Sequence, residues 1–181
     1  MNLTNHLLLP MPTMAGDYFS DTLILLCEHN DEGAMGLIVN QPTDVTVYEL
    51  FSELGIPTHA DLLQQSVYEG GPVDPQRGFI LHSDDVDYPE SHPLIPGVRL
   101  TTTLDSLVSI GHGNGPAKYQ VALGYAGWGA GQLEDEISNN IWLTMEADAD
   151  LLFEGAADQR LHHAAARLGI NLSLVANPGH A

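Results

Sequence analysis

The sequence predicts an α+β fold, with a mixed β-sheet and a few helices in a single domain over residues 1–181. Short apolar runs bounded by turn residues indicate the strands. Two of these runs, 22–28 and 34–41, flank the turn-forming segment 29–33 and predict a hairpin. Helical segments alternate with the strands elsewhere. Because a hairpin interrupts the alternation, we expect a mixed sheet and not a purely parallel one.

The first predicted strands follow from apolar runs and the prolines beside them. Pro10 and Pro12 keep the apolar segment 3–9 from forming a helix, so we expect an edge strand there. A loop at 13–21 leads to 22–28, which is apolar almost throughout, as in a strand buried on both faces. The further predicted strands are 34–41, 66–68, 77–82, 98–103, 119–126 and 141–147, with a long surface loop at 83–97.

Helices are predicted where capping residues and amphipathic spacing coincide. Thr46 and Glu49 match a capping box, and Gly55 ends the helix that follows. The apolar face of this helix consists of Val47, Leu50, Phe51 and Leu54. Three further helices are predicted over 104–110, 132–140 and 158–168, and the rest of the chain is a tail.

Charge restricts the possible partners. The chain has 24 acidic residues, 5 basic residues and a net charge of −19. Proteins bind nucleic acids largely through lysine and arginine, so direct DNA or RNA binding is not expected, nor is binding to an anionic membrane surface. Cys27 is the single cysteine, and the chain shows no signal peptide or membrane-spanning run. We therefore expect a soluble cytoplasmic protein.

The stretch from Val121 to Ile137 has the layout of a strand, a glycine-rich turn and a helix start. This layout is found in phosphate cradles. However, no lysine follows, and three carboxylates at 134–136 would repel an anion. The favoured interpretation is structural, with glycines that allow close packing under Trp128. The alternative is a ligand or partner site with Trp128 as its anchor and Gln132 and Glu134 as polar contacts.

Catalytic and metal-binding chemistry has weaker signals. Cys27 and His29 stand two residues apart, so an enzyme of the hydrolase or transferase class could use Cys27 or Glu134 with His29. Cys27 nevertheless follows a buried run, which favours an inert thiol. Nine histidines show no ligand spacing, although a set such as His29, His82 and Glu134 stays open. No catalytic residue, metal or cofactor is assigned.

The predicted function is binding of a protein partner or a small ligand. The surface predicted for it combines two turns with the glycine-rich stretch, and Asn40 is expected beside the hairpin turn. Its residues are Glu28, His29, Asn30, Asn40, Gly70, Gly71, Trp128, Gln132 and Glu134. The oligomeric state is left open.

Several segments carry a family resemblance in their order and spacing. They are NHLLLPMPTM, CEHNDEGAMGLIVNQP, YEGGPVDPQRGFILH, TTTLDSL, VALGYAGWGAGQLEDEISNNIWL, ADADLLF and the closing GHA. With them the sequence resembles the YqgE/AlgH family of bacterial proteins over nearly its whole length. The resemblance implies an AlgH-like α+β fold whose mixed sheet curls towards a barrel with helices packed outside.

The resemblance brings no settled activity. Some members carry a transcriptional-regulator label, tied to alginate production in one branch, and no catalytic residues are agreed for the family. Gln41 stands where a basic residue is expected, and Leu161 stands where many members have a tryptophan. If the protein affects transcription, its charge predicts an indirect route through another protein.

Overall fold

A computed structural model describes residues 2–12, 16–58 and 64–170. The predicted loop at 13–21 lies partly outside these residues, and the closing tail lies outside them from residue 171. The chain forms two compact units, one from residues up to Gln41 with those from Ala126 onward, and one from Pro42–Tyr125. A single domain over 1–181 stays a prediction. Within the described ranges, every helix is too short or too polar to cross a membrane.

The first unit is built on five antiparallel strands in the order β10-β1-β2-β3-β9. They are β1 (His6–Pro10), β2 (Ile24–Asn30), β3 (Gly33–Ile38), the last residues of β9 (Tyr119–Gly129) and β10 (Trp142–Glu146). The prediction of an edge strand at 3–9 is wrong, because β1 pairs with both β10 and β2. An interior strand covered on both faces explains why Leu7, Leu8 and Leu9 are all buried.

The predicted hairpin is confirmed as β2 and β3. The register pairs Ile24 with Ile38 and Asn30 with Gly33, so the turn is shorter than predicted and His29 belongs to the strand. A β-bulge interrupts the pairing between Leu26 and Glu28. A bulge changes the direction of the residues beside it, so simple alternation does not hold across Cys27.

Three helices belong to the first unit. They are α3 (Gln132–Ser138), α4 (Ala149–Phe153) and α5 (Arg160–Arg167), and a 3₁₀ turn at Ala157–Gln159 precedes α5. Helix α4 was not predicted from the sequence, and its N-cap Asp148 accepts a hydrogen bond from the Leu151 amide at 3.0 Å. Helix α5 packs on β1, and its buried Arg160 donates to the Val39 carbonyl at 2.7 Å.

The second unit holds the parallel pair that makes the sheet mixed. Its strands are β4 (Pro42–Thr46), β5 (Ser66–Glu69), β6 (Val73–Ser83), β7 (His92–Pro93), β8 (Val98–Thr101) and the first residues of β9. β5 runs parallel to β9, and the other pairs are antiparallel. The predicted α+β class with a mixed sheet is therefore confirmed. The predicted surface loop at 83–97 differs, since it contains β7 and buries Tyr88 and Ile95.

The helices α1 (Val47–Glu53) and α2 (Leu104–Gly111) cover a core in the second unit. The cap predicted for α1 is confirmed, since Thr46 Oγ1 accepts from the Glu49 amide at 3.1 Å and donates to Glu49 Oε1 at 3.2 Å. Val47 and Phe51 are buried as predicted. Leu54, expected on the same face, is 52 % exposed because it is the C-cap residue where the helix ends.

A buried histidine lies between β6 and β8 of the second unit. His82 Nδ1 donates to the Ser83 carbonyl at 2.8 Å, and its Nε2 lies 2.7 Å from the Thr101 hydroxyl oxygen, from which a neutral ring accepts a hydrogen bond. Burial lowers the pKa of His82 below its ordinary value. The folded protein therefore resists protonation of this ring at pH values where the unfolded chain accepts a proton.

This histidine predicts an acid-sensitive contribution to stability. As pH falls below the unfolded value of about 6.5, the unfolded state gains a proton that the folded state lacks, so unfolding becomes easier. We expect His82→Phe to have a lower free energy of unfolding than wild type at pH 7. This gap in unfolding free energy is expected to shrink by up to about 1.4 kcal/mol per pH unit towards pH 5. Urea unfolding of both proteins at several pH values measures the gap. A gap that stays constant or widens on acidification contradicts this assignment.

Candidate functional site

His29 and Glu134, both predicted surface residues, are brought together in the first unit. The His29 side chain is fully buried, and its Nδ1 accepts a hydrogen bond from the Leu3 amide at 2.9 Å. Because a backbone amide only donates, the ring proton is on Nε2, which donates to Glu134 Oε1 at 3.0 Å. This bond holds the pKa of the Glu134 carboxyl below its usual range. Both ring nitrogens are occupied, which gives His29 a structural role.

The Cys27 thiol is not set up as a nucleophile. Burial, with a smaller effect from the Glu28 carboxylate, raises its pKa to about 12. The thiol also donates to the Leu25 carbonyl, with sulfur and oxygen 3.6 Å apart. Almost no thiolate forms at neutral pH under these conditions, and the thiolate is the reactive species.

The polar residues of the hairpin do not form one cluster. Asn30 lies beside the turn, where its Nδ2 donates to Glu28 Oε1 at 3.4 Å and its Oδ1 accepts from the Glu32 amide at 2.8 Å. Asn40 instead accepts from the Leu23 amide at 2.8 Å, at the open end of the hairpin. The expectation that Asn40 lies beside the turn is wrong. The register separates Asn40 from His29 by about six residues along β2, or roughly 20 Å.

Trp128 is part of the core and not an exposed anchor. Its side chain is 8 % exposed and packs edge-to-face on Trp142, with ring centroids 6.2 Å apart. Glu136 Oε1 accepts from both indole N–H groups, at 3.0 Å from Trp128 and 2.9 Å from Trp142. Glu136 Oε2 accepts from Gln132 Nε2 at 2.9 Å. We call these four residues the indole clamp.

The structural role of Glu136 was not predicted from the sequence. Two buried indole N–H groups each need an acceptor, and Glu136 stands one helical turn after Gln132 on the same face. The two tryptophans and the helical spacing of Gln132 and Glu136 are readable from the sequence, whereas the burial of both indoles is seen in the structure. What the sequence does not reveal is that both indoles reach the same oxygen, because that depends on how β9 and β10 approach α3.

The glycine-rich stretch forms a strand end and not a phosphate cradle. Gly127 and Gly129 pair with Met35 and Gly33 across β3 and β9. The Gly129 amide, which a cradle would aim at phosphate, donates to Gln132 Oε1 at 2.9 Å. This geometry agrees with the favoured interpretation of close packing.

Gly70 and Gly71 of the predicted surface lie in the second unit. The Gly70 amide donates to the Leu123 carbonyl at 2.8 Å. A Cβ added to Gly124 would stand only 2.3 Å from the Gly71 carbonyl oxygen. These contacts fix the path of the turn after β5. Whether the predicted surface binds a ligand or partner stays a prediction.

Metal ligands do not converge in the described ranges, where no group of three histidine, cysteine, aspartate or glutamate residues is placed to hold an ion. Of the three-residue set left open by the sequence, His29 and Glu134 are hydrogen-bonded to each other. His82 belongs to the second unit, where its nitrogens are used by Ser83 and Thr101.

A cavity of about 510 Å³ lies in the second unit between its helices and its sheet. Its walls are mainly aliphatic, with Leu50 and Leu54 from α1, Leu104 and Leu107 from α2, and Ile80 and Val121 from the sheet. We call this space the apolar cavity. Its size falls within the range of roughly 300–1,000 Å³ that is usual for small-molecule sites.

The mouth of the apolar cavity combines exposed apolar and polar groups. Leu54 is 52 % exposed and Leu104 is 63 % exposed, which is unusual for large aliphatic side chains. Glu53, Gln76, Thr102 and Thr103 are the polar residues of its lining. Thr103 is the N-cap residue of α2, yet its side chain makes no capping hydrogen bond. A mainly apolar lining with a small number of polar groups is the usual composition of a ligand pocket.

The apolar cavity was not predicted from the sequence. Its only signals are Leu54 and Leu104, which stand at the exposed ends of α1 and α2. Periodicity assigns residues to a face, but it does not show whether that face is filled. The cavity contains none of the residues that were predicted for the binding surface.

Comparison with known proteins places this fold and these residues in a family. The model of the AlgH-like family matches residues 7–173. The chain belongs to the AlgH-like family. A UPF0301 protein of Thioalkalivibrio sulfidiphilus is 46 % identical to it over 181 residues, covering 99 % of this chain and 97 % of the relative. A UPF0301 protein of Paraburkholderia phytofirmans is 46 % identical over 185 residues, covering 100 % and 96 %.

Solved structures agree with the AlgH-like fold. The solution structure of the AlgH protein from Pseudomonas aeruginosa superposes with a TM-score of 0.81 at 43 % identity, covering 96 % of this chain and 93 % of that one. A crystal structure from Corynebacterium diphtheriae gives a TM-score of 0.77 at 21 % identity, covering 96 % and 91 %, and so shares the fold. The predicted family and fold class are confirmed.

Proposed function

We propose that this AlgH-like protein binds a small, mainly apolar molecule in the apolar cavity of its second unit. The observation that carries the proposal is the cavity itself, about 510 Å³ of space with aliphatic walls and polar residues in its lining. An open pocket of this size leaves apolar wall area in contact with water, and binding an apolar ligand removes that area from water. In keeping with its single cysteine, we place this activity in the cytoplasm.

The enzyme alternative receives less support from the contacts. A hydrolase or transferase built on Cys27 or Glu134 with His29 needs an accessible nucleophile and a free base. The Cys27 thiol has a pKa of about 12, and both His29 nitrogens are hydrogen-bonded. The apolar cavity, by contrast, has space for a ligand and a lining without histidine or cysteine. Binding without covalent chemistry is the simpler use of such a pocket.

Filling the apolar cavity is expected to weaken binding. We expect wild type to bind the neutral fluorophore N-phenyl-1-naphthylamine saturably, and Leu107→Trp to weaken this binding about tenfold or more, a loss of roughly 1.4 kcal/mol. Leu168→Trp is the matched control, since it places the same side chain at a position that is 39 % exposed in the first unit. Dye fluorescence titration measures both. Equal binding by Leu107→Trp and wild type contradicts the proposal.

We also propose that exposed polar groups near the hairpin turn meet a protein partner. Glu28, Asn30 and Gln132 are exposed, and the Glu134 side chain is 35 % exposed. The carboxylates of Glu28 and Glu134 suit a partner with a basic surface. A charge reversal at Glu28 that leaves capture of a cytosolic partner unchanged, with normal folding, contradicts this second proposal.

An effect on transcription, if this protein has one, would run through such a partner or ligand. The net charge of −19 opposes direct contact with phosphates. Gel-shift assays at physiological salt are expected to show no tight sequence-specific DNA complex. A tight complex contradicts the indirect route.

A further inference from the structure

The polar residues that line the apolar cavity indicate which kind of ligand it favours, provided that the cavity is a binding site as proposed above. We propose that the cavity takes an apolar amine, with its aliphatic body against the leucines and its cationic head beside Glu53. Glu53 is the only ionisable residue among those that line the cavity in the described part of the chain. A carboxylate at the edge of an apolar space is complementary to an ammonium group.

The surrounding charges point in the same direction. Asp105 lies in the first turn of α2, next to the cavity residue Leu104. The N-terminus of a helix carries roughly half a positive charge, which on its own favours an anion. Here one aspartate in that turn already offsets this partial charge, and Glu53 adds a second full negative charge. An anionic head group at the mouth therefore meets net repulsion.

The arginines of the second unit do not reverse this balance. Arg77 Cζ lies 5.2 Å from the ring centroid of Phe79. Phe79 is itself among the residues that line the cavity, but successive residues of a strand alternate, so Arg77 and Phe79 stand on the opposite face of β6 from Ile80. Arg99 forms an ion pair with Asp87 at 3.4 Å. Neither arginine is among the residues that line the cavity.

Neutral hydrogen-bonding groups make up the rest of the polar lining. Thr102 and Thr103 line the cavity, and Thr103 does not use its hydroxyl to cap α2. A hydroxyl can accept a hydrogen bond from an ammonium group, and it can also donate one to an alcohol. The lining thus tolerates an alcohol, while Glu53 adds affinity for an amine.

Three probes with the same chain and different head groups test the inference. Octylamine, octanol and octanoate are each used to displace N-phenyl-1-naphthylamine from the full-length protein at low ionic strength. We expect octylamine to bind about threefold more tightly than octanol, and octanoate about threefold more weakly, as for partly exposed ion pairs. Glu53→Gln is expected to bring octylamine to the level of octanol. Glu90→Gln, which removes the same charge outside the cavity lining, is expected to leave the order unchanged.

The outcomes separate this inference from the proposed function. If the three probes bind alike and Leu107→Trp abolishes their binding, the cavity is a ligand site and the amine preference is overturned. If octanoate binds most tightly, the preference is overturned in favour of an anion at the start of α2. If no probe displaces the dye and Leu107→Trp has no effect, the proposed function itself fails. If Glu53→Gln loses the preference for octylamine while Glu90→Gln keeps it, the inference is supported.

Discussion

Glu136→Ala is expected to lower the free energy of unfolding by about 3–5 kcal/mol, since it leaves buried donors without an acceptor. Trp128 is 8 % exposed and Trp142 is 3 % exposed, so water cannot readily replace the carboxylate at either indole. Both indole N–H groups donate to the same oxygen, Glu136 Oε1, and the Gln132 amide donates to the other. One truncation therefore removes the acceptor of three hydrogen bonds.

Glu136→Gln is the matched variant for this prediction. Its side-chain oxygen can still accept from both indoles, but its amide nitrogen faces the Gln132 amide nitrogen, so one hydrogen bond is lost. We expect a loss of about 1 kcal/mol, the value of a typical single hydrogen bond. Urea unfolding followed by tryptophan fluorescence reports on the clamp directly, because Trp128 and Trp142 are the only tryptophans in the chain. Equal losses in the two variants would show that the shared acceptor is not what stabilises the clamp.

Features that depend on a few neighbouring residues were predictable from the sequence. The α1 cap needs only Thr46 and Glu49, three positions apart, and the structure forms it. The β2–β3 hairpin needs two apolar runs and a turn between them, and it is also present. Local sequence is sufficient here because the interacting groups are held close by the backbone itself.

Features that depend on distant partners were not predictable. β1 looked like an edge strand, and nothing near residues 3–9 indicates that His6 pairs with Glu146. The indole clamp likewise requires β9, α3 and β10 to approach one another. For Asn40, the hairpin register decides the position, and the prediction placed it at the wrong end. Register requires knowing which residues pair, and a bulge at 26–28 makes counting along the strand unreliable.

The apolar cavity illustrates a different limit of sequence analysis. Helical periodicity correctly predicts that Leu50 and Phe51 face inward on α1. It carries no information on the volume left between α1, α2 and the strands. A cavity is set by how far apart packed elements stand, so it becomes visible only in three dimensions.

Two glycines that face each other across β3 and β9 give the second large prediction. Gly33 pairs with Gly129, yet a Cβ on each would meet very different surroundings. On Gly33 it would stand 2.3 Å from the Trp128 carbonyl oxygen, and the φ of Gly33 is +143°, a conformation that other residues rarely adopt. On Gly129 the nearest atom is Gln132 Oε1 at 3.9 Å, an ordinary contact.

Gly33→Ala is therefore expected to lower the free energy of unfolding by about 3 kcal/mol or more, through the clash and the strained backbone together. Gly129→Ala, one strand away in the same pair, is expected to change it by less than about 1 kcal/mol. Urea unfolding of both variants measures the difference, and amide hydrogen exchange of Met35 and Trp128 shows whether the β3–β9 pairing opens in Gly33→Ala. Similar stability losses for the two variants would mean that the backbone gives way at Gly33. In that case the close approach of β3 to the Trp128 carbonyl would not be what requires glycine in this turn.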